Sequence, residues 1–271
     1  MINDVTLGFG MRNNLFNLQS ITGLQSRTSL RLATGKRVNS AIDDASNYFA
    51  AKDHMDHAND LANRKDGMNE ATSTITAGSQ GIDAIEALIS QAKGLITSAR
   101  SATTTDRASL ATQYDSLLTQ INTLAGDSGY KGTNLLAAGS SLTVAFNESG
   151  SSTLTVTGFD ASSTGLGVNA SVGSWASDTN LDSAQTELDT ALSTLRTNAS
   201  MLSENAGVIT ARQSFTDQLI NTLTTGSDNL TLADQNQESA NMLSLQTRQS
   251  LAVSSLSLSN QASQSILRLF G

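Results

Sequence analysis

The side chains best suited to chemistry gather in one stretch. His54 and His57 stand in Asp53-His54-Met55-Asp56-His57, with Asp60 close behind. On a helix, residues three and four apart share a face, so two imidazoles and a carboxylate there could hold zinc or nickel. The metalloprotease pattern HExxH is absent, and the plainer reading is a solvated, charged helix face. Asp43 and Asp44 are adjacent carboxylates, residue types used for metal binding or acid–base work. Adjacent residues on a helix point about 100° apart, so the two do not converge. Ser40 followed by Asp43 reads instead as a capping box in which Asp takes the Glu role. Serines abound, but no GxSxG elbow, GxxxxGK[ST] loop or GxGxxG turn occurs. The triplets starting at Asn147, Asn169, Asn198 and Asn229 match the N-glycosylation pattern, which a chain rich in Asn, Ser and Thr produces by chance. Cysteine is absent, which excludes a disulfide scaffold, a thiolate zinc site, an iron–sulfur cluster and a cysteine nucleophile. The reading is of no catalytic residue, no metal and no cofactor.

The elements around these residues are helical. The chain has 271 residues and no proline, where average usage would put about 13; proline breaks helix interiors, so long unbroken helices are favoured. Met68, Ile75, Ile82, Ile89 and Ile96 fall at successive sevens, and Ala71, Gly78, Ile85, Ala92 and Ala99 repeat the spacing three residues later. That is a heptad seam whose small residues allow close helix approach. Leu110, Tyr114, Leu117, Ile121 and Leu124 predict a second, shorter helix, joined through Ser101–Asp106. Leu181, Leu188, Leu195, Leu202 and Ile209 form another seam, which misses at Thr216 and resumes with Leu223 and Leu230. Fifty such residues would span about 75 Å, too long for a compact domain, so a rod is expected. Gly226, Ser227 and Asp228 are read as a break and re-cap. Between the helices, Leu142, Val144 and Phe146, then Leu154 and Val156, alternate with polar residues around Asn147–Ser152, which predicts a β-hairpin. A loop through Gly165, Gly167 and Trp175 follows.

The two ends are alike in kind. Leu7, Ile21 and Thr28 share one stripe with Met11, Leu18 and Leu32, while Phe9, Phe16, Gly23 and Leu30 form a second. Near the other end Leu245, Ala252, Ser259 and Ile266 group with Leu256, Ser263 and Phe270, and Leu251 and Leu258 lie on another face. One partner helix cannot bury two faces, so these helices are expected to pair with each other and with other subunits. Charge divides the same way. Residues 1–37 carry Arg12, Arg27, Arg31, Lys36 and Arg37 against Asp4, net +4, and residues 235–271 carry Arg248 and Arg268 against Glu238, net +1. With −8 overall, the middle holds −13. A basic, apolar pair of ends on an acidic body suits a buried assembly core and a solvated exterior. A chain this acidic is poorly suited to nucleic-acid backbones. No apolar run is long enough for a signal-peptide core or a membrane helix, which is read as a cytoplasmic protein or one exported without a cleaved signal.

Several stretches resemble bacterial flagellin. Arg31-Leu32-Ala33-Thr34-Gly35-Lys36-Arg37-Val38-Asn39-Ser40-Ala41-Ile42-Asp43-Asp44-Ala45 resembles the family's N-terminal signature RLxxGxRxNSAxDDA. Tyr130-Lys131-Gly132-Thr133-Asn134-Leu135-Leu136 is similar to the element before its hairpin. Ala206–Arg212 and the tail Asp234–Phe270, with Glu238-Ser239-Ala240 and Gln261–Phe270, resemble its returning helix and C-terminus. The opening Ile2-Asn3-Asp4 and the close Arg268-Leu269-Phe270-Gly271 depart from the common pattern.

The resemblance implies a mainly α fold, a long antiparallel helical coiled-coil rod with a small β-hairpin and with both termini helical and paired. Residues 1–40 with 235–271 would form the filament core. Residues 41–234 would form the rod around it, including hairpin and loop at about 137–178, with no large outer domain. The positions expected in the core and its polymerisation are Leu18, Ile21, Arg31, Leu32, Gly35, Arg37, Asn39, Asp43, Asp44, Leu245, Leu256, Ile266, Leu267 and Phe270. The implied function is a non-enzymatic structural subunit of the flagellar filament, exported unfolded by the flagellar type III apparatus to the cell exterior. The implied partners are further copies of the chain, an export chaperone at the C-terminal tail, and the filament cap and hook-junction proteins, with no nucleic acid and no membrane insertion. Gln91 and Gln120 align where strongly stimulatory flagellins place an Arg and a Glu, so weak stimulation of the innate flagellin receptor is expected. The competing readings are a hook–filament junction protein, a metal-binding or catalytic helical protein built on His54 and His57, and an intracellular coiled-coil adaptor.

Overall fold

The structure, a computed structural model, describes residues 9–270, without the side-chain surroundings of Phe9, Ser263 and 266–270. The stripe position Leu7 and the opening Ile2-Asn3-Asp4 lie outside the described residues. So do the side chains of Ile266, Leu267 and Phe270. Five helices make up most of the rest: α1 (Phe9–Thr34), α2 (Ala45–Arg100), α3 (Thr104–Asp127), α4 (Asp178–Thr231) and α5 (Gln235–Phe270). The strands β1 (Ser141–Ala145) and β2 (Thr153–Thr157) form an antiparallel pair. The chain divides into two compact units, Met1–His57 with Thr222–Gly271 and Ala58–Asn221, to both of which α2 and α4 contribute. The sequence places a division at 40/41 and 234/235, where α1 has ended and α5 begins.

In the Ala58–Asn221 unit the heptad residues pack. Ile75, Ile82, Ile89 and Ile96 of α2 and Leu181, Leu188, Leu195 and Leu202 of α4 are all buried in one cluster. Polar pairs flank this seam: Lys65–Asp217 at 2.6 Å, Gln213 donating to Asn69, Arg196–Glu86, Lys93–Asp189 at 2.5 Å and Arg100–Asp182 at 2.7 Å. Each step up α2 is matched by an equal step back along α4, so the helices run antiparallel in one unbroken register. Exposed pairs of this kind add little stability, about 0–1 kcal/mol each; their value is in specifying the register. Thr216, where the heptad misses, is itself buried.

Small residues let the elements close up. A Cβ on Gly78 would touch Leu202, and one on Gly81 would collide with Ser128 and come within 2.6 Å of Leu136. The third helix adds Ala111, Tyr114, Leu118, Ile121 and Ala125 to the core. It starts at Thr103, whose hydroxyl accepts from the Asp106 N–H, an N-cap. At its end the Asn134 amide donates to the Ala125 and Gly126 carbonyls. Lys131 and Gly132 both have positive φ and reverse the chain between Tyr130 and Thr133, the backbone of a type I′ turn. Leu135 and Leu136 then enter the core. Hairpin residues Val144, Phe146 and Val156 face inward, and Arg212 lies over the Phe146 ring at 5.2 Å. Trp175 ends a single 3-10 turn, Gly173–Trp175, and packs on Tyr114 with ring centroids 5.0 Å apart.

Two local expectations are corrected. Gly226-Ser227-Asp228 does not break the helix, because α4 runs on to Thr231. One internal glycine costs a helix only about 1 kcal/mol, and here His54 lies 3.6 Å from where a Gly226 Cβ would stand. Ser40 and Asp43 do not cap a helix either. Residues 40–43 form a turn, and α2 starts after Asp44, whose carboxylate accepts from the Asn47 N–H.

Candidate assembly interface

The unit containing both terminal helices is built differently from the other. Among its described side chains α1 turns Met11, Asn14, Leu18, Ile21, Gln25, Thr28 and Leu32 inward, at alternating spacings of three and four. The facing stripe of α5 is Glu238, Met242, Leu245, Gln249, Ala252 and Leu256. Asn14 donates to Ser255 at 3.3 Å and Arg31 pairs with Glu238 at 2.9 Å. The step from Asn14 to Arg31 equals the step back from Ser255 to Glu238, so this pair is antiparallel too. Five of its thirteen side chains, Asn14, Gln25, Thr28, Glu238 and Gln249, are polar. A second set of large apolar side chains points away from it: Leu15, Phe16, Leu24 and Leu30 on α1, and Leu243, Leu251, Val253 and Leu258 on α5, are all exposed, Phe16 by 67% and Leu258 by 68%. A helix pair that seats polar groups in its seam and leaves a comparable set of large apolar groups exposed is incomplete by itself. Exposed apolar surface of this kind marks an interaction face.

The signature residues tie the two inter-helix links together. Gly35 has φ 71° and its N–H bonds back to the Arg31 carbonyl, a left-handed helix end that suits glycine. Its carbonyl accepts from Ala233 N–H. The N–H groups of Arg37 and Val38 both donate to the Thr231 carbonyl, and the Arg37 guanidinium donates to the Leu230 carbonyl. Carbonyls that the end of α4 leaves open are thus closed by the segment that follows α1. Asn39 turns its side-chain amide onto the Lys36 carbonyl. Asp43 accepts from the N–H groups of Asn39 and Ser40 and from the Ser40 hydroxyl. These bonds, the hydroxyl first, hold its carboxyl below the ordinary 3.8. The Asn47 N–H, and then the Asn47 side chain, lower Asp44 in the same way.

Arg31, Leu32, Gly35, Arg37, Asn39, Asp43 and Asp44 therefore fall in one place, the joint between the α1–α2 and α4–α5 links and the helix ends beside it. Leu18, Ile21, Leu245 and Leu256 lie along the α1–α5 seam. Three features have no periodic signal in the sequence. Glu238 is 7% exposed and answers Arg31 across 207 positions; its only hint is that it is the sole acid in residues 235–271. Asp234 accepts from the Asn236 and Gln237 N–H groups and so caps α5. Ile42, in the turn, is 97% exposed. His54 and His57 lie on α2, and among the described residues no group of three or more His, Cys, Asp or Glu side chains is placed to hold a metal ion. None of the described helices is long and apolar enough to cross a membrane.

The model of the bacterial flagellin N-terminal helical region matches residues 10–141. Flagellin FljM of Caulobacter vibrioides is 32% identical over 276 aligned residues, covering 99% of each chain. This chain belongs to the flagellin family. Flagellin FljO of the same organism is 30% identical with the same coverage. Among solved structures, a Bacillus cereus flagellin aligns over 61% of this chain and 93% of its own, at 19% identity and a TM-score of 0.44.

Proposed function

We propose that this flagellin is the structural subunit of a bacterial flagellar filament that drives swimming, and that it polymerises through α1 and α5. Residues 1–40 and 235–271 supply the filament core in this reading, and 41–234 supply the surrounding rod. The subunit leaves the cell unfolded through the flagellar type III apparatus, escorted by a chaperone at the C-terminal tail, and meets the cap and hook-junction proteins on the outside. It performs no catalytic step. Membership of the family supports the filament role. The single observation that carries assembly through the ends is the outward set of aliphatic side chains on α1 and α5. Full burial of a Leu or Phe contributes about 1.5–3 kcal/mol, and these side chains, part-covered already, retain on the order of 1 kcal/mol each. That gain is available only when other subunits cover them. Leu18, Ile21, Leu32, Leu245 and Leu256 act as the seam of each subunit. Gln91 and Gln120, both exposed on the outer helices, would make it a weak stimulus for the innate receptor.

The test is seeded growth. Purified chain incubated with short filament seeds and viewed by negative-stain electron microscopy is expected to give long, uniform filaments. A chain that stays monomeric in the presence of competent seeds would point to a junction or adaptor role.

A further inference from the structure

Resting on that reading, we propose a specific contact between subunits: the turn Ile42-Asp43-Asp44 of one copy seats in the groove between α1 and α5 of another. The groove has a volume of about 280 Å³ and is lined by Leu24 and Leu245 with Thr28, Asn241 and Ser244. Arg27, Arg31 and Arg248 stand around it with Glu238. Three guanidiniums face one carboxylate, and that carboxylate is taken by Arg31. The Nε of Arg31 is buried with no hydrogen-bond partner, and Arg27 and Arg248 have no ion-pair partner among the described residues. The groove is thus mostly polar, with Leu24 and Leu245 as its apolar side chains, and it is short of two negative charges.

The turn supplies that complement. Ile42 is the most exposed large apolar side chain among the described residues, at 97%, and two carboxylates follow it. Asp43 and Asp44 are locked in orientation by Asn39, Ser40 and Asn47, so little freedom is lost when they meet a partner. The other exposed apolar stripe, Met201, Val208 and Phe215 on α4, is a worse host. It lies in the Ala58–Asn221 unit, which has sixteen acidic against eight basic side chains and would repel two aspartates. A knob and a hole at different places on one chain make a heterologous contact, which propagates into a helix rather than closing as a dimer.

The chain has no cysteine, so a pair of cysteines reports the contact cleanly. The variant I42C/S244C, grown on seeds of the unmodified chain and mildly oxidised, is expected to run on a non-reducing gel as a ladder of covalent multimers that reductant collapses. Each single-cysteine variant should stay monomeric. Normal filaments that yield only monomers would overturn the contact while leaving the filament reading intact. Dimers from I42C alone, which place two knobs together, would also overturn it. Failure of the unmodified chain to elongate seeds would remove the filament reading, and this contact with it. If the double variant does not elongate, charge gives the answer: R248E should slow elongation roughly tenfold, and adding I42R should restore much of it. Elongation by R248E at the unmodified rate would refute the proposal.

Discussion

Deleting residues 235–271 is expected to abolish polymerisation while leaving a folded protein. The deletion removes all of α5, and with it the inward stripe from Glu238 to Leu256 that α1 packs against. It also removes four of the eight exposed apolar side chains, Leu243, Leu251, Val253 and Leu258. Arg31 loses its carboxylate partner. Helical stability in proteins comes mostly from tertiary packing rather than propensity, so α1, left without its partner, should melt. The Ala58–Asn221 unit has its own core, from Met68 to Ile209, and no described contact of that core depends on α5. The truncated chain should therefore keep a cooperative thermal transition by circular dichroism, lose ellipticity in proportion to the two missing helices, and give no filaments on seeds. Filaments from it would mean that the outward face of α5 is not what assembles.

The second large effect lies in the other unit and in a different observable. Ile89→Ala removes three carbons from a side chain with no solvent exposure, in an antiparallel seam whose register is held on both sides by Glu86–Arg196 and Lys93–Asp189. The helices cannot slide to fill the space without breaking those pairs. The expected cost is about 2–5 kcal/mol, or roughly 4–20 °C in Tm for a unit of this size. Ile89→Val should cost only about 0.5–1.5 kcal/mol. Phe215→Ala, at an exposed site on the same pair of helices, should move stability by no more than about 0.5 kcal/mol. If Ile89→Ala melts with the unmodified chain, the seam is not the stabilising core of that unit.

These two predictions mark what could be read along the chain and what could not. Ile89 and its heptad partners are legible because burial imposes a period that one sequence displays by itself. The hairpin is legible for the same reason, since β1 and β2 alternate one face in and one face out. The pairing of Arg31 with Glu238 is not legible. Two oppositely charged residues far apart carry no period, and only the antiparallel course of α1 and α5 brings them together. The cap of α2 is not legible either, because Ser40, Asp43 and Asp44 all have side chains that bond nearby backbone. Which of them opens the helix is decided by where the turn ends, and that depends on the ties to Thr231. Gly226 does not act as a break, since a glycine inside a long helix costs only about 1 kcal/mol and His54 stands beside it. The groove beside Leu24 and Leu245 has no linear signature, because its walls come from opposite ends of the chain.

The account turns on one claim: the outward faces of α1 and α5 are covered only in the assembled state. Hydrogen exchange followed by mass spectrometry on monomer and filament compares those amides directly. Helices held by a partly polar seam open easily, and their amides exchange fast until packing suppresses the opening. Peptides from α1 and from 235–265 should exchange rapidly in the monomer and be protected by orders of magnitude in the filament, while peptides from 68–99 and 181–209 change little. Equal protection of α1 and α5 in monomer and filament would contradict the account, since it would mean that assembly is built on some other surface.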